Sequence, residues 1–198
     1  MDKIHKDRRM LATSLPNILT YGRIAAVPAI VATFYFDGHT AKWIAMWIFI
    51  AAGITDFLDG YLARIWDQQS SLGRMLDPIA DKLIVSSALL MLASDNTISG
   101  LSLIPTIVIL MREILVSGLR EFLAELRISV PSSRLAKWKT AVQITSICFL
   151  LAGEAGEIVL PGTLIIGMIG LWLAAIITLY TGFEYFRAGI RHLLEENQ

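Results

Sequence analysis

The sequence predicts an all-α integral membrane protein with six transmembrane helices, a short N-terminal interfacial helix and both termini in the cytoplasm. Three observations favour this class. Hydrophobic residues make up 55% of the 198-residue chain, and the mean hydropathy of +0.61 is well above that of an ordinary soluble domain. The apolar residues occur in blocks that lack charged side chains, and the basic residues fall almost entirely on one side of the predicted membrane.

The apolar blocks set the number of helices. They cover residues 24–36, 43–55, 83–94, 96–111, 140–152 and 158–183. A helix that crosses the hydrocarbon needs about 20 apolar residues, so only the last block is long enough alone. The others reach that length when a few charged residues at one end enter the membrane. A soluble bundle with buried core helices is the alternative.

Polar positions and prolines then place each element in order. Residues 1–16 form a basic, partly apolar segment that suits either an interfacial helix or a frayed tail, and residues 17–198 form one membrane domain. We expect helices near 17–37, 41–65, 73–94, from just before 105 to 126, 133–152 and 161–188. Prolines at 16, 131 and 161 lie at or just before helix starts, where a missing N–H is tolerated.

The basic residues orient the chain. Of the 17 Lys and Arg residues, all except Lys42 fall on the same side when the loops are numbered alternately. The positive-inside rule makes this side cytoplasmic. The single Cys148 lies in an apolar run, so we expect a packing role and no disulfide framework.

The fourth predicted helix carries charged residues at membrane depth. If it starts near Leu101, Arg112 lies about 16 Å along the axis at 1.5 Å per residue, within a hydrocarbon about 30 Å thick. Charges at that depth typically face a polar cavity and mark a site. The alternative is an Arg112–Glu113 pair that only holds helices together. The sequence therefore predicts a wet cleft in the inner half, open to the cytoplasm.

Four aspartates lie where the second and third predicted helices meet: Asp56, Asp59, Asp77 and Asp81. Measured from the outer helix ends, Asp56 and Asp81 are about 22 and 21 Å deep, and the other two are about 27 Å deep. Each pair shares one helix face because its spacing is i,i+3 or i,i+4. Antiparallel helices would bring all four carboxylates to one patch just inside the cytoplasmic interface.

Four carboxylates so close together need cations to stay ionised. Hard oxygen ligands suit Mg²⁺ or Mn²⁺, and two such ions would balance the charge. Two-metal carboxylate sites stabilise both the attacking and the leaving oxygens in phosphoryl transfer. Two other interpretations stay open. The aspartates could form salt bridges with Arg64, Arg74 and Lys82 in a solvated loop, or they could line a cation pathway.

The spacing D-x2-D-G-x2-A-R-x8-G-x3-D-x3-D, from Asp56 to Asp81, resembles the signature of the CDP-alcohol phosphatidyltransferase family at every fixed position. The segments LPNILTYGRIAAVP, MREILVSGLREFLAEL and AKWKTAVQ resemble the branch of that family that uses glycerol 3-phosphate. The similarity covers nearly the whole chain. It implies a homodimer in a bacterial inner membrane, with the active site facing the cytoplasm.

The resemblance implies transfer of a phosphatidyl group from CDP-diacylglycerol to sn-glycerol 3-phosphate, which gives phosphatidylglycerophosphate and CMP. The bilayer and these two substrates are the expected partners, and no nucleic acid is expected. The family pattern implies two divalent cations, Mg²⁺ or Mn²⁺, on the four aspartates, and a general-base role for Asp81. It assigns CDP-diacylglycerol contacts to Asn17, Thr20, Gly60, Arg64, Ser70 and Gly73.

The acceptor phosphate needs a separate cationic clamp. The candidates are Arg112, Arg120, Lys137 and Lys139, with Arg23 facing the same cleft and Glu113, Glu121 and Gln143 orienting the cations. For each cation the alternative is ordinary positive-inside charge.

Two other functions are weighed: a sister reaction such as cardiolipin synthesis from phosphatidylglycerol, and a divalent-cation transporter. The apolar outer halves at 43–54 and 84–94 disfavour a pore.

Overall fold

The computed structural model describes residues 15–65, 71–126 and 134–196. Within these ranges the regular structure is helical and no strand occurs, which confirms the all-α part of the prediction. The helices are α1 Leu15–Thr33, α2 His39–Ile65, α3 Ser71–Ser94, α4 Leu103–Glu125, α5 Arg134–Val159 and α6 Thr163–Glu196, with a 3-10 turn at Gly100–Ser102. The interfacial helix expected in residues 1–16 falls almost wholly outside the described residues.

Four helical segments in the described part of the chain are long and apolar enough to cross a membrane: His39–Leu58, Gly100–Glu125, Leu135–Val159 and Thr163–Arg187. Their outer faces keep large apolar side chains exposed, among them Ile107 and Phe183. Such a surface is stable against lipid rather than water. By this criterion four of the six predicted spans are found among the described residues. α3 carries charged residues, among them Asp77, Asp81 and Lys82, at the end that forms the site.

The helix contacts differ from the predicted hairpin of α2 and α3. These two helices contact each other only slightly, whereas α1 packs closely against both. The described carboxylates of α2 and α3 still meet at one patch, because α1 supplies a side chain that contacts both helices. α6 packs on α5 and α4, and α5 packs on α2.

The apolar core occupies the half of the helices away from the aspartates. It is built from fully or nearly fully buried side chains of every described helix, such as Ile30, Phe49, Leu89, Ile109, Ile147 and Leu171. Lipid tails are as apolar as these side chains, so their close packing against one another stabilises the bundle mainly by van der Waals contact. Toward the C-terminal end of α2 and the N-terminal end of α3, the buried apolar residues give way to the aspartates of the site.

α5 continues beyond its predicted end at 152. The helix runs to Val159 across a break at Gly153, whose φ of 49° and ψ of −133° are not helical. Glu157 lies after this break and accepts hydrogen bonds from the backbone N–H groups of Gly162 and Leu164, both at 2.8 Å. This carboxylate satisfies donors at the start of α6 that would otherwise lack partners.

Small residues bring α6 close to α5. A Cβ placed on Gly167 would lie 2.8 Å from Leu150 Cγ, and one on Gly170 would lie 3.0 Å from Ser146 Cβ. The Ser146 hydroxyl also donates to the Gly167 carbonyl at 2.5 Å. These glycines therefore serve packing within the chain, as small residues do between membrane helices.

We expect Gly167→Ala to destabilise the protein by about 1–3 kcal/mol, since the new methyl group overpacks the contact with Leu150. Thermal unfolding in detergent measures this effect. Gly118→Ala in α4 is the matched control, because no atom lies within 4 Å of the added Cβ and alanine has the higher helix propensity. Equal destabilisation by both substitutions would contradict the packing role.

Candidate active site

Arg23 of α1 lies at the centre of the aspartate cluster. Its side chain is only 1% exposed, and Nη1 donates to Oδ1 of Asp56 at 2.5 Å and to Oδ1 of Asp81. Nη2 donates to Oδ1 of Asp77 at 3.2 Å. A buried guanidinium is stable only when hydrogen-bonded anions compensate its charge. Arg23 therefore ties α1 to both α2 and α3 through three carboxylates.

The three carboxylates remain open on the side away from Arg23. The side chains of Asp56, Asp77 and Asp81 are 46%, 42% and 47% exposed. Asp59 belongs to α2, but its side chain lies outside the described part of the chain. The structure thus brings three of the four predicted aspartates together and leaves them accessible to a ligand.

A polar stripe on α1 faces this cluster. Asn17, Thr20 and Arg23 recur every three residues, so they share one face of the helix, and all three are buried. The Thr20 hydroxyl donates to Asp77 Oδ1 at 2.6 Å. This stripe provides the polar contacts of α1 at the site, while Ile30 nearer its other end is buried in the apolar core.

The other residues assigned to CDP-diacylglycerol are described only in part. Gly73 is buried near the start of α3, and Gly60 and Arg64 belong to the last turns of α2. The surroundings of Gly60 and the side chain of Arg64 lie outside the described residues, as does Ser70 altogether. Their assignment stays a prediction.

A second charged cluster lies where α4, α5 and α6 meet. Glu113 Oε1 accepts a hydrogen bond from Lys139 Nζ and lies 3.5 Å from Arg112 Nη1. Arg112 Nη2 also donates to the hydroxyl of Thr181 on α6 at 3.4 Å. Lys139 and Arg112 are largely buried. Two cations share one carboxylate here, so the cluster keeps a net positive charge that suits an anion.

One cavity of about 400 Å³ joins the two clusters. Its walls include Arg23, Asp56 and Asp81 at one end, and Arg112, Arg120 and Lys139 at the other. This volume is in the range of pockets that hold small ligands, about 300–1,000 Å³. The exposed Lys137, by contrast, is not among the lining residues.

Sequence reasoning missed one functional candidate, Lys82, and the partners of another, Arg23. Lys82 lines the cavity between the two clusters and donates to the Ser117 hydroxyl; its position next to Asp81 was the available signal. Arg23 lines the same cavity as the acceptor candidates, as predicted, but its hydrogen bonds to the aspartates were not predicted. Its three-residue spacing from Asn17 and Thr20 was the signal that could have placed it on their face of α1.

The aspartates suit a hard divalent cation by the chemistry of their oxygen donors. Among the described residues, however, no group of three or more His, Cys, Asp and Glu side chains converges as a metal site. The three described carboxylates gather around the Arg23 guanidinium instead of around a common point. Their accessible, anionic oxygens nevertheless fit the donor set that such an ion needs.

Comparison with known proteins agrees with the family resemblance of the sequence motifs. The profile of the family described as CDP-alcohol phosphatidyltransferase matches residues 13–180. The chain is 47% identical to the CDP-diacylglycerol–glycerol-3-phosphate 3-phosphatidyltransferase of Rickettsia bellii over 88% of this chain and 94% of that one. It is 38% identical to the protein of the same name from Cereibacter sphaeroides, over 92% and 98% of the two chains.

A plant relative is also similar over most of its length. The chain is 39% identical to CDP-diacylglycerol–glycerol-3-phosphate 3-phosphatidyltransferase 2 of Arabidopsis thaliana, over 92% of this chain and 82% of that one.

Proposed function

The chain belongs to the CDP-alcohol phosphatidyltransferase family, and from this we propose that it transfers the phosphatidyl group of CDP-diacylglycerol to sn-glycerol 3-phosphate. The products are phosphatidylglycerophosphate and CMP. The choice of glycerol 3-phosphate as acceptor rests on the cavity that connects the aspartates to the largely buried cations Arg112 and Lys139. An acceptor that itself bears a phosphate fills both ends of that cavity.

In the proposed reaction the 1-hydroxyl of glycerol 3-phosphate attacks the phosphorus that carries the diacylglycerol group. A new P–O bond forms to the acceptor, and the P–O bond to CMP breaks. Asp81 takes the hydroxyl proton; its half-exposed carboxylate on the cavity wall supports this role. A positioned general base contributes about 10²–10⁴-fold to rate, and holding both substrates in line supplies much of the rest.

Members of the family are generally dependent on divalent cations. We propose that Asp56, Asp59, Asp77 and Asp81 hold two such ions, Mg²⁺ or Mn²⁺. When bound, these ions neutralise the charge of the pyrophosphate and of the transition state. On the same side, Asn17, Thr20, Gly60, Arg64, Ser70 and Gly73 are the proposed contacts to CDP-diacylglycerol.

The acceptor phosphate is proposed to bind at Arg112, Arg120 and Lys139. Glu113 supports this proposal because it contacts the first and the last of these cations and limits their freedom. The Arg120 guanidinium also lies 5.7 Å from the centre of the Tyr185 ring, a cation–π contact that orients it. Lys137, predicted as the fourth cation of the clamp, is the weakest candidate since it lies off the cavity wall.

The protein is proposed to cross the inner membrane six times, with both termini and the active site on the cytoplasmic side. Its four apolar spans support a multi-pass protein. The close packing of α1 and α3 around the aspartates supports their insertion beside those spans. Soluble glycerol 3-phosphate would then reach the cavity from the cytoplasm, and the lipid substrate would enter from the bilayer. A homodimer is proposed on the family resemblance alone.

An assay of CMP release tests the function directly. The purified protein in detergent receives CDP-diacylglycerol, Mg²⁺ or Mn²⁺, and one alcohol at a time. We expect turnover with glycerol 3-phosphate and little with phosphatidylglycerol, whose phosphodiester carries one charge less for the clamp. Turnover with phosphatidylglycerol alone would favour the sister reaction, and cation flux in proteoliposomes without CMP release would favour a transporter.

Lys139→Ala is expected to raise the KM for glycerol 3-phosphate by about 10–100-fold, the range for loss of a hydrogen bond to a charged group. The KM for CDP-diacylglycerol should change much less, because Lys139 belongs to the other end of the cavity. Lys137→Ala is the matched control on the same helix and should leave both values nearly unchanged. A larger rise in the KM for CDP-diacylglycerol would move Lys139 to the nucleotide side.

A further inference from the structure

Gln143 of α5 is a buried polar side chain that the proposed reaction does not yet use. It is 3% exposed and lines the cavity, and its Oε1 is buried without a hydrogen-bond partner in the described part of the chain. Buried polar atoms are almost always hydrogen-bonded in native proteins. An amide with an unsatisfied acceptor beside a cavity is therefore suited to a ligand.

The position of Gln143 relates it to both ends of the cavity. It lies four residues after Lys139, so the two side chains share one face of α5. α5 packs on α2, the helix that carries Asp56. A molecule that places an anion at Lys139 and a hydroxyl at the aspartates therefore passes along the wall that contains Gln143.

The surrounding wall offers few other groups for such a contact. Phe49, Ala52 and Ile144 are apolar lining residues. The uncharged polar neighbours are already engaged within the protein, since Ser117 accepts from Lys82 and Thr140 donates to the Ala136 carbonyl at 3.2 Å. Among the described lining residues, Gln143 is the neutral side chain whose acceptor oxygen is both buried and without a hydrogen-bond partner.

We propose that the Gln143 side-chain amide hydrogen-bonds the 2-hydroxyl of the acceptor and so selects a glycerol phosphate over a phosphate ester that lacks this group. The inference rests on the proposed function. In sn-glycerol 3-phosphate the 2-hydroxyl lies between the phosphate, bound at the cationic cluster, and the 1-hydroxyl, delivered to Asp81. An amide both donates and accepts, so it pairs with a hydroxyl in either orientation. A site built this way rejects the analogue that lacks the hydroxyl because the buried amide is then left unpaired.

The test compares two acceptors, sn-glycerol 3-phosphate and 3-hydroxypropyl phosphate, which lacks only the 2-hydroxyl. Wild-type protein should prefer glycerol 3-phosphate by about 10-fold or more in kcat/KM. In Gln143→Met, which keeps the length of the side chain but removes the amide, the preference should fall to within about 3-fold. The loss should fall on glycerol 3-phosphate, with the analogue nearly unaffected. Gln143→Glu keeps an acceptor oxygen and should keep part of the preference.

Because the preference is a ratio measured on one preparation, it does not depend on the fraction of protein that is folded. If Gln143→Met does not fold, Gln143→Asn, which withdraws the amide by one methylene group, must lower the same ratio. Absence of a preference in the wild type, or an unchanged preference in the variant, overturns this assignment alone. Absence of CMP release by the wild type with glycerol 3-phosphate overturns the proposed function itself.

Discussion

Asp81→Asn is expected to lower kcat by about 10²–10⁴-fold, the usual contribution of a positioned general base. Asparagine keeps the shape of aspartate and an acceptor oxygen for Arg23, but it cannot take a proton at neutral pH. The Arg23 guanidinium still has Asp56 and Asp77 as partners, so the local packing should persist. CDP-diacylglycerol binding should therefore fall much less than turnover does.

Two measurements on the same preparation check this prediction: steady-state CMP release, and equilibrium binding of CDP-diacylglycerol in detergent. Asp95→Asn is the matched control, since Asp95 is also ion-paired, with Lys42 at 3.4 Å, but lies at the opposite end of α3. It should leave turnover within about twofold, as expected for loss of a partly exposed pair. A loss of binding as large as the loss of turnover would make Asp81 a ligand-holding residue and not the base.

The helices and the grouping of the aspartates could be predicted from the sequence because both signals are local. Blocks of apolar residues are read over about 20 positions, and Asp56 and Asp81 belong to one continuous stretch. Membrane depth then follows from a constant rise per residue. These quantities need no knowledge of which helices touch, and the described helices fall close to the predicted ranges.

Arg23 could not be placed in the same way, since its role depends on contacts with residues 33 to 58 positions away in sequence. Its local context offered the positive-inside tendency, which assigns a side of the membrane, and its spacing from Asn17 and Thr20, which assigns a helix face; neither identifies a partner. The helical stretch that follows the break at Gly153 in α5 was missed for a different reason. Glu154 and Glu157 resemble an exposed loop in composition, whereas Glu157 is held by backbone donors of the next helix.

Arg23→Met is expected to lower turnover by about 100-fold or more, because displacement of reacting groups by about 1 Å has effects of that size. Methionine is similar in length and has no charge, so Asp56, Asp77 and Asp81 lose the cation that they share. The free energy of unfolding should also fall, by about 1–3 kcal/mol. This is less than for a fully buried ion pair, since the three carboxylates are 42–47% exposed and water solvates them in part.

Divalent cations provide a second readout that does not depend on activity. A ligand that binds the folded state raises Tm by an amount that grows with the logarithm of its affinity, and removal of the positive guanidinium should strengthen cation binding by the aspartates. Mn²⁺ or Mg²⁺, added after treatment with a chelator, should therefore raise the Tm of Arg23→Met more than that of the wild type. Arg23→Lys keeps the charge but lacks the planar fork that reaches three carboxylates, so its shift should be intermediate. An equal shift in all three proteins would mean that the cations bind away from Arg23, and the four aspartates would then lose their assignment as the metal site.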